Sequence, residues 1–142
     1  MSIRLVYDFE EVFAYAKEHV PGIARREHMV GIGMQVDGKM VAVAVYENLN
    51  QHNVWIHIAG SPGRHWLNRR AIQAAFLYPF NVCGVNRISA YIEASNTRSI
   101  RFAEHMGFER EATLQGVAID GGDAFIYRLF KKDCRYVQLA QN

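Results

Sequence analysis

Residues 87–108, RISAYIEASNTRSIRFAEHMGF, constrain the fold of this chain more than any other stretch. They read as a strand over Arg87–Glu93, a short polar turn, and a helix closed by Gly107. Asn96 is suited to cap that helix, because its side-chain oxygen can accept an N–H from the first turn. Ile100, Ala103 and Met106 form an apolar stripe, and Gly107 supplies the left-handed residue that stops the helix. Phe108 can then fold back over the last turn. A helix opening at the end of a strand presents its N-terminal amides there, an end that suits an anion or a polarised ligand.

The remaining residues extend this into a mixed α/β order. Ile3–Tyr7 is expected to be a strand, and Asp8 to cap a helix over Phe9–Val20 with Glu10 and Glu11 in its first turn. Pro21-Gly22 ends that helix, and Ile23–Met29 reads as either a short helix or a loop carrying Arg25 and Arg26. Alternation over Val30–Val36 predicts a half-buried strand. Asp37-Gly38 is a hairpin signal, and the strand Lys39–Glu47 is apolar on both faces, as a central strand is. Asn48–Asn53 turns the chain into a strand over Val54–Ala59, followed by a loop at Gly60–Gly63. Asn68 is placed as the cap of a helix over Arg69–Tyr78, stopped by Pro79. Phe108–Ile119 and Ala124–Lys131 are two strands joined by a hairpin at Asp120–Asp123, and the tail from Asp133 shows no pattern.

The chain has 142 residues and no repeat or linker, which predicts one domain, 1–142, with a real core. A net charge of +2 is too small to argue for nucleic acid as a partner. No apolar run is long enough to cross a membrane, and the N-terminus lacks the apolar core of a signal peptide. Cys83 and Cys134 form no metal-like pair and read as reduced thiols of a cytoplasmic protein. The histidines and carboxylates show no metal-binding spacing, so no metal is expected.

The arrangement of Asn96, Ser99, Ala103 and Gly107-Phe108, N-x-x-S-x-x-x-A-x-x-x-G-F, resembles the penultimate helix of the GCN5-related N-acetyltransferase family. The likeness is strongest to the branch near the ribosomal-protein N-acetyltransferases. It implies that family's fold, a mixed and mostly antiparallel central sheet flanked by helices, over nearly the whole chain. It also implies acetyl-CoA as co-substrate and a primary amine as acceptor: a protein N-terminus, a lysine or a small amine.

The family cradles the cofactor pyrophosphate between its fourth strand and the next helix, in the motif Arg/Gln-x-x-Gly-x-Gly/Ala. Arg64 fits the first position, whereas Leu67 and Arg69 replace the two small residues, a departure that puts bulk where backbone should approach phosphate. Arg69 and Arg70 occupy a first helical turn, where the dipole disfavours cations unless an anion neutralises them. With Arg64 and His65 nearby, the site suits phosphates; a solvated basic face is the alternative. The resemblance thus implies cofactor contacts from Ile58, Arg64, His65, Leu67, Asn68, Arg69, Arg70, Asn96 and Ser99.

By the same resemblance, Ser99 lies near the thioester sulfur and can protonate the departing thiolate. Ala103 stands where many members carry a tyrosine for that task. Three residues compete as general base: His57, mid-strand beside the phosphate loop; Glu93, ending the neighbouring strand; and Glu47. Water-relayed deprotonation without a dedicated base stays open, as does a non-catalytic binding protein on the same fold.

Overall fold

Two helices of the chain open on side-chain caps close to them in sequence. Asp8 accepts hydrogen bonds from the amides of Glu10 and Glu11 at 2.9 and 3.4 Å, which opens helix α1 (Phe9–His19). Asn96 accepts the Ser99 amide at 3.2 Å and opens helix α3 (Thr97–Met106); Gly107, at φ 105°, closes it with its amide on Ala103 and Glu104. Asp37 and Gly38 both take positive φ, 51° and 83°, as a two-residue hairpin turn requires.

The computed structural model describes residues 2–60 and 69–137. Its strands are β1 (Ile3–Val6), β2 (Val30–Val36), β3 (Lys39–Glu47), β4 (Asn53–Gly60), β5 (Arg87–Glu93), β6 (Glu109–Leu114) and β7 (Ala124–Phe130), with helix α2 (Arg69–Leu77) between β4 and β5. They form one sheet in the order β1-β2-β3-β4-β5-β7-β6. Neighbours pair antiparallel except β4 with β5, which run parallel. The expected mixed, mostly antiparallel sheet flanked by helices is therefore the fold observed.

Of the two readings of Ile23–Met29, the loop is the one found: the segment is irregular. Other expectations are corrected. Pro79 does not stop the chain from winding. The path continues through Tyr78–Val82 as a π-helical turn, with the Cys83 amide reaching the Tyr78 carbonyl at 3.0 Å. Proline lacks the N–H of an α-helical bond, and a wider turn accommodates its ring. The sixth strand ends at Leu114 rather than Ile119; a register shift between Arg110 and Ala112 weakens it, and its residues are exposed at the sheet edge.

β2 is also more deeply covered than a half-buried strand. Gly31 and Gly33 are buried along with Ile32 and Met34. A Cβ on Gly31 would lie 2.6 Å from Val12 Cγ1, so glycine is what lets α1 pack directly on the strand backbone. Val12, Phe13 and Ala16 of α1 then bury against Val43, Val45 and Ala59 on one face of the sheet. The other face carries the larger core, in which Phe76 of α2 and Ala103 and Met106 of α3 meet Tyr46, Ile56, Ile88 and Tyr127. Each large side chain fully buried there contributes roughly 1.5–3 kcal/mol.

The parallel pair is short. β4 and β5 are in register only over Asn53–Trp55 and Arg87–Ser89, although the strands run on to Gly60 and Glu93. Past Trp55 and Ser89 they diverge, and a wedge opens in the middle of the sheet.

Candidate active site

The wedge has two faces, fixed by strand alternation. Val54 pairs with Ile88, so Ile56, Ile58, Ala90 and Ile92 share the face covered by α2 and α3. Trp55 pairs with Ser89, so His57, Ala59, Tyr91 and Glu93 lie on the face of α1. Helix α3 begins shortly after β5 ends, so its N-terminus stands at the open end of the wedge, the end that favours negative charge. The described part of α2 lies beside Ile58 of β4, through Ala71 and Ile72.

At α3, Asn96 and Ser99 sit together as the sequence suggests. Asn96 Oδ1 is engaged with the Ser99 amide, and Ser99 is half-buried in the first turn. Arg98 Nη2 donates to the Gly60 carbonyl at 3.3 Å, which brings the start of α3 against the end of β4. Ala103 is buried against the core. At α2, Arg69 and Arg70 are exposed in a first turn that holds no acidic residue, and Ile58 contributes to the wall beneath. That donor set fits a phosphate-bearing ligand. Arg64, His65, Leu67 and Asn68, together with the rest of the loop 61–63, lie outside the described residues.

The three carboxylate and imidazole candidates fare differently. Glu93 Oε2 accepts the backbone N–H of Ile119 at 2.7 Å, so this carboxylate holds the β6–β7 loop. His57 and Glu47, by contrast, meet. His57 Nε2 lies 2.6 Å from Glu47 Oε2, across the β3–β4 pair and one step off the register that sets Val45 opposite His57. The other oxygen, Glu47 Oε1, accepts from Arg26 Nη1 at 2.8 Å. Glu47 is only 6% exposed, whereas the His57 side chain is 24% exposed and beside the wedge. Both oxygens of Glu47 are thus bonded inside the fold, one to Arg26 and one to His57.

Two residues of this site escaped the sequence reading. Arg26 stood in a segment of undecided structure, and Tyr91 lay within the expected Arg87–Glu93 strand with no role assigned to it. Tyr91 is 40% exposed and faces the same side as His57 from the opposite wall. A signal for Arg26 was present. A strand apolar on both faces that ends in Glu47 buries a carboxylate, and a buried carboxylate requires a cationic or donor partner.

No family model matches the chain, and no curated protein does. Solved structures do. The class they define is the acyl-CoA N-acyltransferase fold, the one implied by Asn96, Ser99 and Gly107-Phe108. The ribosomal-protein-S18-alanine N-acetyltransferase of Escherichia coli is 18% identical at a TM-score of 0.69, covering 91% of this chain and 94% of that one. A spermidine N-acetyltransferase SpeG chimera from Vibrio cholerae and hSSAT is 13% identical at 0.75, covering 96% and 99%. The ribosomal-protein-S5-alanine acetyltransferase of Vibrio fischeri is 17% identical at 0.67, covering 94% of each.

Proposed function

We propose that this chain is an acetyl-CoA-dependent N-acetyltransferase acting in the cytoplasm on a primary amine. The observation that carries the reading is the wedge between β4 and β5, with the N-terminus of α3 at its open end and His57 on its α1 face. Acetyl-CoA is a substrate here. Arg69 and Arg70, with the α2 and α3 amides, would hold its phosphates and place its thioester in the wedge.

The amine approaches from the α1 face and attacks the thioester carbonyl carbon directly, in a ternary complex. His57 takes the proton that the nitrogen sheds as the C–N bond forms. The tetrahedral intermediate collapses by breaking the C–S bond, and the thiolate takes a proton from Ser99 or from water. Backbone amides on the unpaired edge of β4 stabilise the oxyanion.

The surroundings favour an amine borne on a peptide, an N-terminus or a lysine, over a polyamine. Carboxylates flanking this face are already engaged: Glu10 with Arg25, Glu47 with Arg26 and His57, Glu93 with the Ile119 amide, Asp123 with the Gly116 amide. Exposed Tyr91, Val117 and Ile119 supply apolar surface instead.

A thermal-shift titration tests the reading first. Acetyl-CoA at about 100 times its Kd should raise Tm by roughly 5–10 °C. Arg69→Ala combined with Arg70→Ala should weaken that response, and Ser99→Ala should lower kcat more than affinity. No shift with acetyl-CoA or coenzyme A would overturn the enzyme reading. Binding without transfer to any peptide or small amine would favour a non-catalytic binding protein, the reading to which buried Ala103, in place of a tyrosine, lends support.

A further inference from the structure

We infer that Glu47 is a positioning residue, locked by Arg26, that holds His57 in the tautomer whose Nδ1 carries the lone pair. The structural part stands on the hydrogen bonds alone; its catalytic consequence rests on the acetyltransferase reading.

Glu47 and Ser89 are the buried polar side chains among the described residues. A buried carboxylate is costly unless it is paired and hydrogen-bonded, and Glu47 is paired on both oxygens. Arg26 can only donate, so Oε1 is fixed as its acceptor. An ionised carboxylate can only accept, so the 2.6 Å contact at Oε2 requires hydrogen on His57 Nε2. In the neutral ring Nδ1 is then the acceptor. The same contact opposes turning the ring over, because reversal would set Cε1–H in place of Nε2–H against the carboxylate and lose the hydrogen bond.

Arg26 makes this more than a strand–strand ion pair. It comes from the irregular segment between α1 and β2, 21 positions before Glu47. That segment also meets the β6–β7 loop, since a Cβ on Gly22 would lie 3.3 Å from Ile119 Cδ1. Ile119 is held in turn by Glu93. One chain segment thus touches the loop at the open end of the wedge and fixes the carboxylate behind the imidazole. Its placement and the orientation of His57 are mechanically linked.

Substitution of Glu47 by glutamine gives a specific signature. With Arg26 present, the carbonyl oxygen of the introduced amide must face the guanidinium, which leaves the amide NH₂ facing His57 Nε2. Nε2 must then accept, and the proton moves to Nδ1. The logic is that of the serine-protease triad, in which an amide in place of the aspartate imposes the wrong tautomer on the histidine.

The experiment is a long-range ¹H–¹⁵N correlation of the His57 ring in the full chain at a pH where the ring is neutral, alongside acetyl-transfer kinetics. Wild type should show Nε2–H with unprotonated Nδ1, Glu47→Gln should show Nδ1–H, and Arg26→Ala with Glu47→Gln should return to Nε2–H as the freed amide turns over. Glu47→Gln should lower kcat about 100-fold or more while acceptor KM changes less than about threefold. The double variant should recover at least about tenfold of that loss, which a merely structural Glu47 would not predict. An Nδ1–H or mixed wild-type spectrum overturns the inference, as does a Glu47→Gln variant that keeps Nε2–H. If Glu47→Gln fails to fold, the wild-type and Arg26→Ala spectra decide, both expected as Nε2–H. Absence of transfer by the wild type to any amine would sink the function while the spectra still judged the tautomer.

Discussion

Tyr78 shows how a single side chain couples the fold to pH. Burial, and then the neighbouring Cys83 thiol, push its phenol from an ordinary 10.0 up to about 12. A folded-state value above the unfolded one means that the native state holds the proton more tightly. The resulting stability is fully present below about pH 10 and is lost as pH rises toward 12. Buried Tyr46 and Tyr127 shift in the same direction, chiefly through desolvation. The denaturation midpoint of the wild type should therefore fall as pH rises from about 10 toward 12, and that of Tyr78→Phe should fall less steeply. Parallel curves for the two proteins would refute this assignment. At the same scale, the sequence pointed to His57 and Glu47 as separate candidates. That they form one unit with Arg26 depends on a strand register that makes them diagonal neighbours and on an irregular segment, neither of which residue identity encodes.

The elements were legible where their signals are local. Asp8, Asn96, Gly107 and the Asp37-Gly38 turn all act within a few residues of themselves, and each is found in the expected role. The α3 caps also allow a clean measurement. A Cβ on Gly107 would meet only Leu129 Cδ1, at an ordinary 3.7 Å, so Gly107→Ala tests backbone strain at φ 105° with little steric cost. It should cost about 1–2 kcal/mol, and Asn96→Ala about 1 kcal/mol. The two sites are separated by roughly 15 Å of helix. Urea unfolding of the double variant should therefore give their sum within about 0.5 kcal/mol. A marked excess over that sum would mean that the helix depends on both ends jointly. Elements misread from sequence failed for non-local reasons. β2 looked half-buried because its glycines are not apolar, yet they are the surface on which α1 rests. The winding past Pro79 depends on Tyr46, whose hydroxyl reaches the Ala75 carbonyl at 2.5 Å, and on the core that holds Phe80.

For the whole molecule, the deciding feature is a pairing that stops. Because β4 and β5 separate after three residues, the cleft edges of Ile56–Gly60 lack the ladder that covers the β3 side. Amides pointing into the wedge should exchange with solvent faster than their neighbours bonded to β3. Saturating acetyl-CoA should slow them if the thioester arm lies there. Unchanged exchange on β4 at saturating ligand, with Tm nonetheless raised, would move the substrate out of the wedge and leave only its phosphates where they are placed.

The sequence by itself determined the α/β class, the order of strands and helices, the caps and the hairpin, because each is written in periodicity or in side chains acting on their own backbone. It also placed Asn96 and Ser99 at a helix start beyond a strand. Only the tertiary structure decided that the sheet opens between β4 and β5, and that Arg26, Glu47 and His57 meet on one side of that opening. Their contacts span 21 and 10 positions. Such contacts are fixed by how far strands stay paired and by what a buried charge must find nearby.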